Sequence, residues 1–159
     1  TMPNTPAMLQ TGTTGLYANP NANEDQRNLA ESIMRAVGLT LWVESETMMD
    51  SVTAVSGSGP AYFFLVMELM IKSAEKMGMD HNSAKLLTLH TALGAARMAL
   101  ENPDDPSVLR EKVTSPGGTT AAALEVFNEK GLDQIIEDAL TAARDRSIEL
   151  SSQVNGDQA

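Results

Sequence analysis

The chain has 159 residues, 42% of them hydrophobic and 20% charged, which fits one globular domain and excludes a disordered chain. Its net charge of −10 and pI near 4.5 would repel a phosphate backbone, so nucleic acid is not expected as a partner. There is no cysteine, which excludes disulfides and thiolate metal sites and is compatible with the cytoplasm, the expected location.

Thr1-Met2-Pro3-Asn4-Thr5-Pro6 has no basic or apolar region, so no signal peptide is expected. The first 23 residues read as extended and turn-rich, with a short strand at Gly15-Leu16-Tyr17-Ala18 and a break at Asn19-Pro20-Asn21. Asn23 is a good N-cap for a helix in which Leu29, Ile33 and Val37 recur at four-residue spacing, and Gly38 stops it. Leu39 to Val43 reads as a second strand, which either pairs with the first or edges a sheet that continues outside this sequence.

A short helix is expected from Glu46 to Val55, ended by Ser56-Gly57-Ser58-Gly59, and a long one from Pro60 to Met77, capped by Gly78. The long helix is apolar on nearly every face, and a partner subunit is its simplest cover. No membrane span is expected. The most apolar stretch, Ala61 to Ile71, already holds Glu68, whereas a span needs about 20 apolar residues.

The next helix starts at Asp80 or Asn82 and reaches Leu100, with Leu86, Leu89, Leu93, Ala96 and Leu100 as its expected buried face. A loop at Asn102 to Pro106 leads to a short helix from Ser107 to Val113. Helices from Ala121 to Lys130 and from Leu132 to Ser152 follow, split by Gly131. The polar tail from Gln153 is expected to be loose. Ten methionines against 4% aromatics suit closely packed helices.

Two loops could carry chemistry. Ser56-Gly57-Ser58-Gly59-Pro60 and Ser115-Pro116-Gly117-Gly118-Thr119-Thr120 each place small residues just before a helix, where unpaired amides and the helix dipole favour a carboxylate or a phosphate. The plain alternative, that both are only well-capped helix starts, is the one spacing alone favours. His81 and His90 share no metal-like spacing; His81 reads as a helix start and His90 as a polar or partly buried helical position. Asp104 and Asp105 read as loop and capping residues, and no metal site is expected.

At these loops the sequence resembles the pyrroline-5-carboxylate reductase family. The likeness is carried by Met2-Pro3-Asn4-Thr5-Pro6, by Asp50-Ser51-Val52-Thr53-Ala54-Val55-Ser56-Gly57-Ser58-Gly59-Pro60-Ala61-Tyr62, and by Val113-Thr114-Ser115-Pro116-Gly117-Gly118-Thr119-Thr120-Ala121-Ala122-Ala123-Leu124. The last segment is the most specific to the family.

The resemblance implies a mainly α fold, a helical dimerisation domain of the 6-phosphogluconate-dehydrogenase-like type, interlocked with a partner subunit and with short strands near the N-terminus. It implies a junction segment at 1–45, the helical dimerisation and substrate domain at 46–152 and a tail at 153–159. The family's N-terminal Rossmann-type domain, which binds NADPH or NADH, is not expected in this sequence, because no strand–Gly-x-Gly-x-x-Gly–helix unit occurs in it.

The implied activity is hydride transfer from NAD(P)H to the C=N bond of 1-pyrroline-5-carboxylate, giving L-proline. The implied site lies between one subunit's nucleotide domain and the partner's helical domain. The Ser115–Thr120 loop, through Gly117 and the amides of Gly118, Thr119 and Thr120, would hold the substrate carboxylate. The Thr120 hydroxyl would reach the ring nitrogen, and Glu46 matches an acidic position near the substrate. Met2, Pro3 and Asn4 match the segment beside the nicotinamide, with Thr1 at its edge. Lys112 stands where some relatives carry an Asn that meets the cofactor, which puts that contact in doubt.

The implied partner is a second copy of the chain, and relatives can form rings of dimers. These 159 residues alone are expected to be inactive. The alternatives are a non-catalytic helical dimerisation module and the helical half of a hydroxy-acid dehydrogenase; the second lacks its catalytic Lys motif here.

Overall fold

The computed structural model describes residues 1–156. The fold is mainly helical with one two-stranded parallel sheet. It divides into two compact units, Thr1–Tyr62 together with the residues from Ile136 on, and Phe63–Ile135.

The first unit opens extended through Asn4 and then turns into a 3-10 helix, Thr5–Leu9, in place of the extended stretch expected there. Pro6 stands in its first turn, where its missing N–H costs nothing. Strand β1 is Gly12–Leu16, starting three residues before the expected Gly15. The partner strand sets that start: β2, Gly38–Trp42, runs parallel to β1 in a register that begins at Gly12↔Gly38 and ends at Leu16↔Trp42. Parallel strands need a crossover, and helix α1, Glu24–Arg35, supplies it.

Helix α1 starts where the sequence placed it. The Gln26 amide donates to Asn23 Oδ1 (2.9 Å), and the Asn23 amide donates to Gln26 Oε1 (3.0 Å), a reciprocal capping box. The two strands pair with each other, as one of the two expectations had it. The free edge of β1 also takes a single antiparallel bridge from Met2 to Gly15, with bonds of 2.9 and 3.1 Å.

Helix α2, Met48–Val52, packs against β1. A Cβ on Gly15 would come within 2.6 Å of Val52 Cγ1, so the close approach requires glycine there. The backbone then widens into a π-turn, Thr53–Gly57, instead of stopping at Ser56 as expected. The last helix returns to this unit, and Ser147 Oγ donates to Asp50 Oδ1 at 2.7 Å. The fully buried side chains here, Thr14 and Leu16, both belong to β1.

The second unit is a run of helices. Helix α3, Gly59–Lys76, enters it at Phe63 and ends before Gly78, which adopts φ +97 as the expected cap. Asp80 caps α4, His81–Glu101, by accepting from the Ser83 amide at 3.1 Å. Helices α5, Pro106–Lys112, and α6, Thr119–Glu129, follow. Gly131, at φ +67, starts α7, Leu132–Gly156. Helix α7 thus runs four residues past the expected end at Ser152, and 157–159 of the expected tail lie outside the described residues.

The expected buried face of α4 is corrected. The buried positions of α4 are Ala84 and Thr88, one turn apart, whereas Leu86, Leu89 and Leu93 are 60%, 40% and 56% exposed. The stripe is apolar, but this chain by itself does not cover it. By length and composition alone, the helical run Met48–Lys76, in which α2 and α3 join through the π-turn, is long and apolar enough to cross a membrane. Glu68 and Lys72, in the middle of α3, are ion-paired one turn apart.

Candidate functional site

The residues expected to meet substrate and cofactor fall into two groups, one in each compact unit. The group in the second unit is the bend before α6. Gly117 takes φ +69, a left-handed conformation that a side chain strains, although a Cβ there would meet nothing within 4 Å. The Gly118 amide then closes a turn by donating to Ser115 O at 3.0 Å.

Gly118 is the N-cap of α6 and has no side chain to satisfy the amides that follow it. A helix leaves its first amides without a carbonyl one turn behind them, so those of Thr119, Thr120 and Ala121 are the donors this bend offers. Gly118, expected among the donors, is corrected: its N–H is spent inside the turn. Thr120 is half-buried, while Ser115, Pro116, Gly117 and Thr119 are exposed.

An open cavity of about 600 Å³ lies beside this bend, lined by Thr114, Gly117, Gly118, Ala121 and Ala122 and flanked by Glu125 and Glu129. Lys112, at the end of α5, is ion-paired with Asp104, so its ammonium already has an anionic partner. Asp104 is therefore a loop residue holding a cation, and Asp105 is the N-cap of α5, as expected.

The other glycine loop also leads into a helix, α3 at Gly59, as expected, but its amides are engaged differently. The Ser58 amide donates to Thr53 O (2.8 Å) and the Ala61 amide to Ser58 O (3.0 Å), while Pro60 has no N–H. Only Ser58 separates the π-turn from α3, and its amide is bonded within that turn.

The group in the first unit gathers around the opening segment. Met2 bridges to Gly15, and its Cε lies where a Cβ on Gly57 would stand, 2.4 Å away. Asn4 is half-buried and its carboxamide is bonded at both ends: Nδ2 donates to Ser56 O (3.1 Å) and Ser56 Oγ (3.3 Å), and Oδ1 accepts from the Thr13 amide (2.8 Å). Pro3 is exposed. Thr1 and Glu46 line one cavity of about 550 Å³, together with Tyr17, Asn19, Asp50 and Ser151.

His81 is the first residue of α4, and its Nδ1 lies 2.8 Å from Glu75 Oε1; His90 is exposed on the same helix. Ser56, which bonds Asn4, was read in the sequence only as part of a helix start. No short-range signal in the sequence links it to a residue 52 positions away.

A family model described as pyrroline-5-carboxylate reductase dimerisation matches residues 46–150, a segment that contains the whole bend before α6. The chain belongs to this family. Curated pyrroline-5-carboxylate reductases are similar to it. The one from Pseudomonas aeruginosa is 51% identical over 153 residues, covering 96% of this chain and 56% of that protein. The one from Haemophilus influenzae is 50% identical over 152 residues, covering 95% and 56%.

Among solved structures, a pyrroline-5-carboxylate reductase from Coxiella burnetii superposes with a TM-score of 0.90 at 53% identity, covering 94% of this chain and 55% of that one. The Plasmodium falciparum pyrroline carboxylate reductase, solved with NADP bound, gives 0.86 at 31% identity, covering 92% and 59%. The chain therefore spans about half the length of the pyrroline-5-carboxylate reductases it matches.

Proposed function

We propose that the chain forms the substrate-binding and dimerising part of a cytoplasmic pyrroline-5-carboxylate reductase of proline biosynthesis. The reaction is reduction of the C=N bond of 1-pyrroline-5-carboxylate to L-proline. NADPH or NADH, when bound, supplies the hydride, which goes to the imine carbon, and the ring nitrogen ends protonated. The observation that carries the reading is the bend before α6, where unpaired amides and a half-buried Thr120 stand together in the segment the family model matches.

The amides of Thr119, Thr120 and Ala121 suit a carboxylate, because the positive end of the α6 dipole adds to three aligned donors. The Thr120 hydroxyl, donating to the ring nitrogen, would polarise the C=N bond. Holding the ring at two points orients its carbon, and orientation is the main task left to these residues when the imine is already electrophilic. Glu46 is the acidic side chain near the substrate in this reading.

On the cofactor side, Met2 offers an apolar side chain lying on Gly57, which suits the flat face of a nicotinamide ring better than it suits a phosphate. Nothing among the 159 residues forms a glycine fingerprint for the pyrophosphate. A polypeptide of these residues alone is accordingly expected to show no NAD(P)H-dependent reduction of the imine.

The second reading, a dimerisation module without a substrate role, is favoured by the description of the family model itself. Titration with L-proline separates the two. Saturable binding that weakens in Gly117→Ala supports the substrate role, and binding too weak to saturate leaves the dimerisation module.

A further inference from the structure

We infer that Asn4 is a positioning residue, a clamp that fixes Met2 and Pro3 against the Ser56–Gly57 turn, and that its side chain does not itself contact the dinucleotide. The inference rests on the proposed reductase reading for what Met2 and Pro3 do, but its geometry stands apart from that reading. Asn4 heads a 3-10 helix, a place where an Asn side chain commonly caps, yet it makes no cap bond. Its carboxamide points the other way and joins three pieces of backbone: the opening segment, β1 through the Thr13 amide, and the π-turn through Ser56.

The orientation of the amide is fixed by its partners. Flipped, Nδ2 would face the Thr13 N–H and Oδ1 would face the Ser56 carbonyl, two repulsive contacts in place of two bonds. Both ends of the group are therefore committed to the protein.

The π-turn gives Ser56 its part. A helix widened by one residue turns its carbonyls away from the usual acceptor direction, and the Ser56 carbonyl takes a side-chain donor from 52 residues away. On the neighbouring residue the lack of a side chain leaves room for Met2, whose Cε fills the place of the absent Gly57 Cβ. The Met2–Gly15 bridge holds the same segment from its other side, at 2.9 and 3.1 Å. Met2 is thus pinned between strand and turn, and the Asn4 amide is the part that ties strand to turn.

The test uses the complete reductase carrying this chain, unmodified and with Asn4→Ala, Ser56→Ala and the two combined. Asn4→Ala is expected to raise the KM for NAD(P)H by about tenfold, with the KM for the imine changed by less than about twofold. Ser56→Ala keeps the carbonyl bond and should raise the dinucleotide KM by only about threefold. In the Asn4→Ala background, Ser56→Ala should add nothing, because its hydroxyl acts only through Asn4.

An additive cycle, or a dinucleotide KM untouched by Ser56→Ala, overturns the inference and makes Asn4 a direct contact. Equal rises in both KM values also overturn it, in favour of a general folding role. Hydrogen exchange at the Thr13 amide keeps the two readings apart. An unmodified protein without turnover defeats the reductase reading alone, whereas a Thr13 amide that exchanges equally fast with and without the Asn4 side chain defeats the clamp whatever the activity.

Discussion

Trp42 donates its indole N–H to Glu31 Oε2 at 3.0 Å, which ties the second strand to the helix that crosses over it. The other oxygen of the same carboxylate accepts from Arg35 at 2.7 and 3.0 Å, and Thr40 Oγ1 lies 3.4 Å from it. The Arg27 guanidinium sits over the indole, 4.8 Å from the ring centroid. One carboxylate therefore anchors α1 to β2, and the single tryptophan of the chain reports on that anchor.

Because Trp42 first, and then Arg35, bond its charged form, the Glu31 carboxyl is held below its ordinary value of 4.5. The sign follows. A depressed acid stabilises the fold above its unfolded value and loses that contribution as pH falls through the lower, folded value. The difference in urea midpoint between unmodified protein and Glu31→Ala, followed by Trp42 fluorescence, should be constant above about pH 5.5 and should close below the ordinary carboxylate value. A gap that widens as the pH falls would remove Glu31 from the acid response.

Gly38 and Gly78 both take positive φ, but in different surroundings. At Gly38, φ is +151 and a Cβ would stand 2.0 Å from the carbonyl oxygen of Gly12, its register partner in the sheet. At Gly78, φ is +97 and nothing lies within 4 Å. Gly38→Ala should therefore cost about 3 kcal/mol or more, since strain and a backbone clash combine. Gly78→Ala should cost about 1 kcal/mol, the strain alone. Urea unfolding monitored at Trp42 measures both, and equal losses would mean that the sheet yields at Gly12.

What the sequence disclosed was punctuation. Asn23, Asp80, Gly78 and Gly131 act through their own few neighbours, and each ends or begins a helix where local chemistry put it. The leucine stripe of α4 misled for a physical reason: periodicity reports which face is apolar, while burial depends on what covers that face. The matching family model is described as a dimerisation segment, and a second chain is the cover proposed for that face.

The site was legible as segments but not as bonds. Nothing local says that the Gly118 amide closes a turn, or that the Asn4 amide reaches across 52 residues to Ser56 and is lost to ligands. The π-turn was hidden in the same way, since Ser-Gly-Ser-Gly reads as a break and only the packing of Met2 and Asn4 against it shows why the helix goes on.

The Tyr62 hydroxyl is buried with no hydrogen-bond partner, the one such side-chain atom among the described residues. An unsatisfied buried hydroxyl costs about 1–3 kcal/mol, so Tyr62→Phe should raise the stability of the isolated chain by about 1 kcal/mol. The measurement is the urea midpoint of the two proteins under monomeric conditions. A loss of stability in Tyr62→Phe would show that the hydroxyl finds a partner in solution.

Leu65 and Leu69 stand one turn apart on α3 and are 54% and 52% exposed within a single chain. Apolar side chains in such number stay exposed only when another surface covers them. Leu69→Glu should weaken self-association by at least about a hundredfold, because a carboxylate buried without a partner costs several kcal/mol. Sedimentation across a concentration series reads the effect, and an unchanged dimer would place the interface on another face.

Thr120 offers the proposed site two different donors, an amide that belongs to the helix and a hydroxyl that belongs to its side chain. Substitution separates them. In the complete reductase, Thr120→Ala keeps the amide and should leave L-proline binding within about threefold, while kcat/KM for the imine falls by about 10- to 100-fold, the worth of one well-aimed donor in the transition state. Thr120→Ser restores the hydroxyl and should recover most of that loss. Gly117→Ala acts on the other donor set: it strains a residue at φ +69 and tilts the bend, so it should weaken proline binding and raise the imine KM while leaving kcat less affected. If Thr120→Ala and Gly117→Ala moved the same constant by the same factor, hydroxyl and amides would be acting as one group, and the assignment of the hydroxyl to the ring nitrogen would fail.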